Sequence, residues 1–205
     1  PVSHDEKVLA PASKAFQPSG GLKVLKGNLG SAIIKTSAVK PERRIIEAPA
    51  RVFSSQQGLN DAFKTGELTD DFVAVVRFQG PRSNGMPELH KLTTVLGILQ
   101  ERGQKEAVLA DGRRPGHLRK VPAAIHVTPE ALDGGPIARI RTGDLIRLDA
   151  EAGTLELLVP ASELDRRSNA TADLSGNSFG MGRELFSVFR HAAGRADQGA
   201  SAFGA

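Results

Sequence analysis

The sequence predicts an α+β fold, a closed or nearly closed β-barrel with flanking helices. Three observations carry the prediction. Short apolar runs broken by turns recur at close spacing from Gly21 onward. Only two or three helical stretches interrupt them. The second half lacks the strand–helix alternation that a doubly wound sheet requires. No internal repeat is visible.

The elements follow in order. Residues 1–20 hold Pro1, Pro11, Pro18, Gly20 and Gly21 without periodicity, and read as a linker. A chain that begins in a linker is expected to be a fragment or the tail of a longer gene product. Leu22–Leu25 and Ala32–Lys35 are strand-like around a turn at Gly27–Gly30. Ala50–Phe53 is a short strand. Ser54 and Ser55 offer N-caps for a helix over Gln56–Lys64, with Leu59, Ala62 and Phe63 on one face and Gly66 ending it. Phe72–Phe78 is apolar on both faces, as an interior strand is. A turn-rich loop over Gly80–Met86 precedes a helix expected over Pro87–Arg102, where Leu89, Leu92, Leu96 and Leu99 recur at helical spacing.

Ala107–Ala110 and Ala123–Val127 are further strands, joined through a loop over Asp111–Arg119. Thr128-Pro129-Glu130 reads as the start of a helical turn. Ile137–Ile140, Asp144–Leu148 and Thr154–Val159 alternate like strands, the last two forming a hairpin about Glu151-Ala152-Gly153. Pro160–Leu164 opens a short helix. Residues 168–178 are polar, Met181–Ala193 forms an amphipathic helix with Leu185, Phe186 and Phe189 on its apolar side, and residues 194–205 form a tail. The expected organisation is a linker over 1–19, a barrel over 20–167, and a loop, helix and tail over 168–205.

Composition narrows the function. The chain has 205 residues, 40% of them hydrophobic, which is ordinary for a soluble globular protein. No apolar run approaches the roughly 18 residues of a membrane span, and Pro1–Lys14 contains no apolar signal core. There is no cysteine, hence no disulfide and no thiolate metal site within the chain. A cytoplasmic setting is expected. All nine aromatics are Phe, so stacking platforms for single-stranded nucleic acid are scarce, and no nucleic-acid partner is expected. The net charge of +4 suits an anionic small molecule.

Two loops could carry chemistry. Glu88, at the end of Gly80–Glu88, reads either as an acid favoured by a helix dipole or as an oxygen ligand for a hard cation such as Mg²⁺. Asp111-Gly112-Arg113 follows a buried strand, where it is either a turn or part of a ligand site. His90, His117 and His126 lack metal-site spacing, and Gly20-Gly21 and Gly134-Gly135 are turns. No P-loop, GxGxxG, GxSxG or HExxH pattern occurs.

Several segments in order resemble one family. They are Gly20–Gly30, Glu47–Phe53, Val75–Pro81, Asn84–Leu92 and Lys120–Leu132. Together they are similar to the C-terminal domain of the dihydroxy-acid and phosphogluconate dehydratases. Lys120–His126 and Gly180–Phe186 point to the 6-phosphogluconate branch. The resemblance covers about residues 19–203. It implies a swivelling barrel-like domain packed on a larger N-terminal dehydratase domain, and a homodimer. It implies dehydration of 6-phosphogluconate to a 2-keto-3-deoxy acid in the Entner–Doudoroff pathway, with an iron–sulfur cluster and Mg²⁺ as cofactors. Glu88 would contribute to the Mg²⁺ site; Asp111, Gly112, Arg113 and Lys120 would lie against substrate.

In that family a serine in the loop after Asp-Gly-Arg acts as base, within the pattern apolar, Ser, Gly, small, small, Gly. Here the loop reads Arg114-Pro115-Gly116-His117-Leu118-Arg119, and Pro115, with neither hydroxyl nor N–H, takes the serine position. The register resumes at Lys120. Compensating frame errors in the gene or its reading would produce this; a true inactive variant would too. The alternatives in function are a non-catalytic binding or scaffold domain, and a dehydratase of another sugar acid or of branched-chain precursors.

Overall fold

A computed structural model describes residues 3–16, 19–113 and 121–203. Eight strands close into a barrel. They are β1 (Leu22–Gly27), β2 (Gly30–Lys35), β3 (Ile45–Phe53), β4 (Phe72–Val76), β5 (Glu106–Ala110), β6 (Ala123–Thr128), β7 (Leu145–Asp149) and β8 (Thr154–Leu157). Their order around the barrel is β1-β2-β6-β5-β4-β3-β7-β8, and β1 closes on β8 through Lys26 and Thr154. The expected fold class is the one found.

The barrel has two characters. β3, β4, β5 and β6 run parallel, while β1–β2, β2–β6, β3–β7 and β7–β8 pair antiparallel. α1 (Gln56–Lys64) connects β3 to β4, and α2 (Pro81–Asn84) and α3 (Leu92–Glu101) connect β4 to β5. Parallel strands need such crossovers, and the crossover helices bury their outer face. β4 shows the result. Val73 and Val75 join Leu25, Ile34, Leu109 and Ile146 inside the barrel, whereas Phe72, Ala74 and Val76 pack with Leu59, Leu92, Leu96 and Leu99 under the helices. That is why its sequence is apolar throughout.

α1 begins where expected, with Ser55 Oγ accepting from the Gly58 amide at 3.2 Å. Five expectations are corrected. β3 starts at Ile45 rather than Ala50: Pro49 pairs with Leu145 of β7, and the ladder with β4 begins only at Ala50, so the missing N–H breaks no ladder bond. Ile137–Ile140 is a 3₁₀ turn over Pro136–Arg139, not a strand. Its apolar residues Ile137, Ala138 and Ile140 join the barrel interior, and its carbonyls at 138 and 140 accept from Arg77 Nη1, each at 3.2 Å. The helix expected from Pro87 begins at Leu92, because 88 and 89 run extended against the loop after β5. The helix expected over Met181–Ala193 shrinks to α5 (Ser187–Ala192), since Gly180, Met181 and Gly182 all take positive φ. The turn after Pro129 starts at Ala131, with Glu130 ahead of it.

α4 (Ala161–Leu164) follows β8. Arg167 beyond it is buried and bonds Asp144 Oδ1 at 2.9 Å and Glu163 Oε1 at 2.6 Å, which ties the chain after the barrel to the start of β7. Among the described residues no helix is long and apolar enough to cross a membrane.

Candidate functional site

The carboxyl ends of β3, β4, β5 and β6 open on one side of the barrel, the side where α/β sheets gather ligands. The loops leaving them are 54–55, 77–91, the stretch from 111, and 129–135. Three of the five non-glycine residues found at positive φ among the described residues lie in or beside these loops: Phe78 (63°), Met86 (55°) and His126 (57°). Such conformations cost of order 1–3 kcal/mol each and persist only where neighbours hold them.

Asp111 does much of that holding. It is fully buried, and its Oδ2 accepts from the amides of Phe78 and Ala131, each at 3.0 Å, while Oδ1 accepts from Gln79 at 2.8 Å. One carboxylate thus ties three strand-end loops together. Burial pushes its pKa up to about 6 against the pull of those amides. With its oxygens occupied, Asp111 is a positioning residue in this arrangement. Gly112 fits because a Cβ there would stand 2.7 Å from Gln79 Cβ and 3.0 Å from Gln79 O.

Glu130 plays a parallel part. It is buried, and accepts from the Arg82 amide at 2.9 Å, the Ser83 amide at 3.1 Å and Ser83 Oγ at 2.7 Å. This cradles the first turn of α2, and a Cβ on Gly80 would lie only 2.2 Å from Glu130 Oε2.

Glu88 and Arg113 are brought together. Their backbones form an isolated parallel bridge, the Leu89 amide donates to Arg113 O at 3.1 Å, and Arg113 Nη2 lies 3.3 Å from Glu88 Oε1. Both side chains are about half exposed. Because α3 starts only at Leu92, Glu88 is not a helix-dipole acid. The His126 amide donates to Gly112 O at 3.0 Å, and burial together with the Arg113 charge holds its imidazole below the usual histidine range. His90 Nδ1 sits 3.3 Å from Glu88 O. Pro115, His117 and Lys120 lie outside the described residues.

Among the described residues no group of three or more His, Cys, Asp or Glu is placed to hold a metal ion. Glu88 therefore fits a divalent cation as one oxygen ligand, not as a complete site. An iron–sulfur cluster does not fit this chain, which has no cysteine.

A cleft of about 570 Å³ opens beside Glu88, lined in part by Gln56, Gln79, Asn84, Lys91, Asn177 and Arg183. Sequence reading singled out none of these, nor Glu130. Amide and serine side chains scattered over distant segments carry no spacing signal, and only the barrel assembles them.

The family described as "Dihydroxy-acid/6-phosphogluconate dehydratase C-terminal" matches residues 7–200. A phosphogluconate dehydratase of Rhizobium meliloti is 64% identical over 200 residues, covering 98% of this chain and 33% of the relative. One of Pseudomonas aeruginosa is 54% identical, covering 98% and 33%. A dihydroxy-acid dehydratase of Thermus thermophilus is 42% identical over 79% of this chain and 29% of its own length. The chain spans about a third of the length of the curated relatives it matches. With the family model matching residues 7–200, this chain belongs to the dihydroxy-acid/6-phosphogluconate dehydratase C-terminal family.

Proposed function

We propose that this chain is the carboxy-terminal part of a phosphogluconate dehydratase, a hydro-lyase that converts 6-phosphogluconate to 2-keto-3-deoxy-6-phosphogluconate and water in the Entner–Doudoroff pathway. The observation that carries the reading is identity of 64% and 54% to two phosphogluconate dehydratases over nearly the whole chain, against 42% over a shorter span to a dihydroxy-acid dehydratase. A cytoplasmic homodimer, joined to an amino-terminal dehydratase portion, is part of the same reading.

The reaction removes a proton next to a carboxylate and expels the neighbouring hydroxyl. Glu88 would give one oxygen to Mg²⁺, which when bound offsets the carboxylate and enolate charge. Arg113, half exposed and steadied by Glu88, offers a guanidinium to an anionic substrate. Asp111 and Gly112 hold the loop that presents it, and by the family resemblance Lys120 would also lie against substrate. The iron–sulfur cluster would belong to the amino-terminal portion, since this chain has no thiolate to offer. Position 115 is where a serine base belongs, and Pro115 has no hydroxyl to take the proton.

The test is turnover of 6-phosphogluconate, followed by release of the 2-keto-3-deoxy product, by the full-length protein with the serine-containing loop restored and by the 205-residue chain. The chain by itself is expected to be inactive, and activity in it would overturn the view that the site is completed from outside. The Arg114–Arg119 segment also favours a second reading, a binding domain without catalysis. Tight binding of 6-phosphogluconate without turnover in a full-length protein holding its cofactors would support that reading.

A further inference from the structure

We propose that the cleft between Lys91 and Arg183 is a phosphate subsite, taking the phosphorylated end of a polyhydroxylated acid whose carboxylate end lies at Glu88 and Arg113. The proposal rests on the dehydratase reading above and deepens it.

Position comes first. The cleft borders the loops that leave β3 and β4 at their carboxyl ends. Gln56 connects it to the Glu88–Arg113 pair: its Nε2 donates to Glu88 O at 3.3 Å, and its Oε1 accepts from the Lys91 amide at 2.9 Å. Lys91 lies three positions after Glu88, at most about 10 Å of chain. A phosphorylated six-carbon chain covers that span.

Charge comes second. Two other arginines at this end are engaged by carboxylates, Arg113 by Glu88 and Arg82 by Asp133. Lys91 and Arg183 form no ion pair with a described residue. Arg183 is nonetheless anchored. Its Nε donates to Asn177 O at 2.7 Å and its Nη2 bonds Asn84, so carbonyl oxygens orient the guanidinium and leave its charge uncompensated. A fixed guanidinium and an exposed ammonium lining one cleft are suited to a doubly charged phosphate.

The rest of the lining suits a polyol. Asn84 Nδ2 bonds Gln79 Oε1 at 3.0 Å, and amide groups of this kind exchange hydrogen bonds with hydroxyls at little cost. Asp173, also on the wall, is held ionised by the Ser175 hydroxyl and amide, and serves as an acceptor for a sugar hydroxyl.

Calorimetric titration of the full-length protein with 6-phosphogluconate and with gluconate tests the proposal. Wild type is expected to bind the phosphorylated acid at least about tenfold more tightly, with inorganic phosphate competing. Lys91→Gln and Arg183→Gln should each weaken 6-phosphogluconate by about tenfold and shift gluconate by less than about twofold. Lys40→Gln, away from the cleft, controls for net charge. Lys91 is exposed, so its replacement does not threaten the fold should Arg183→Gln prove unstable. Equal losses for both ligands, or none, overturn the subsite while leaving the dehydratase reading standing. Wild type that binds neither acid overturns both.

Discussion

Arg113 Nη2 stands 3.3 Å from Glu88 Oε1, and the same two residues are joined by a parallel backbone bridge. The bridge fixes where the carboxylate emerges; the ion pair only steadies its direction. The two can be separated by substitution.

Glu88→Gln keeps the bridge and loses a half-exposed ion pair, which is worth at most about 1 kcal/mol. Thermal unfolding of the full-length protein in the absence of divalent cations should therefore barely change. Added Mg²⁺ should raise the wild-type midpoint, because a ligand that binds only the folded state stabilises it, and should leave the variant where it was. An equal Mg²⁺ response in both proteins would remove Glu88 from the metal site.

Gly112→Ala probes the loop that Asp111 holds. The new methyl would press on Gln79 Cβ at 2.7 Å and Gln79 O at 3.0 Å, with Leu89 Cδ1 at 3.4 Å. Overpacking of this kind costs about 1–3 kcal/mol. Because Gln79 and Leu89 lead to the cleft and to Glu88, ligand affinity should fall along with stability. Urea unfolding and a 6-phosphogluconate titration on the same preparation check both. Full stability with full affinity would mean the loops part more easily than their contacts imply.

How much of this was legible in the sequence differs element by element. β4 and α1 could be read directly, since an unbroken apolar run and a serine cap are local signals. β3 reads as Ala50–Phe53 alone, because a proline such as Pro49 is ordinarily foreign to an interior strand, and only the register shows that no β4 partner stands there. Ile137–Ile140 has the composition of a strand, and only Arg77 reaching its carbonyls reveals a barrel plug. At the site, Glu88 and Arg113 stood out as acidic and basic residues in turn-rich loops. Their pairing did not, because it depends on residues 88 and 89 staying extended rather than helical. Glu130 and Arg183 were invisible as site residues, since each acts on α2 from more than 40 positions away.

Glu106, at the opposite end of β5, predicts a pH dependence. It is fully buried, and among the described residues neither carboxylate oxygen has a hydrogen-bond partner. Burial pushes its pKa up to about 7, with Arg43 pulling the other way. The folded state therefore holds this proton more tightly than the unfolded chain, whose glutamate titrates near 4.5. The stability that goes with the proton is complete below pH ~4.5 and is lost as pH rises through about 7. Glu106→Gln should match wild type near pH 4.5 and exceed it by about 3 kcal/mol at pH 8. Denaturant unfolding across that range decides it, and parallel curves would show that Glu106 stays ionised at neutral pH.

The last prediction concerns the loop in which Pro115 stands. If that segment is all that separates this chain from a working dehydratase, its repair restores turnover. Arg114→Leu, Pro115→Ser, His117→Ala, Leu118→Ser and Arg119→Gly, made together around the existing Gly116, recreate the pattern apolar, Ser, Gly, small, small, Gly without changing length. In the full-length protein with its cofactors the repaired loop is expected to dehydrate 6-phosphogluconate, while the Pro115 form stays at background. Proton transfer by a positioned side chain contributes typically 10²–10⁴-fold, so the rise should be at least about a hundredfold. Pro115→Ser alone should recover less, because Arg114 puts charge where the pattern is apolar, and His117, Leu118 and Arg119 put bulk where it is small or glycine. The affinity for 6-phosphogluconate should differ little between the two forms if Lys91, Arg113 and Arg183 hold the anion. A repaired loop that binds and still does not turn over would place the defect elsewhere, and would favour a binding domain over a silenced enzyme.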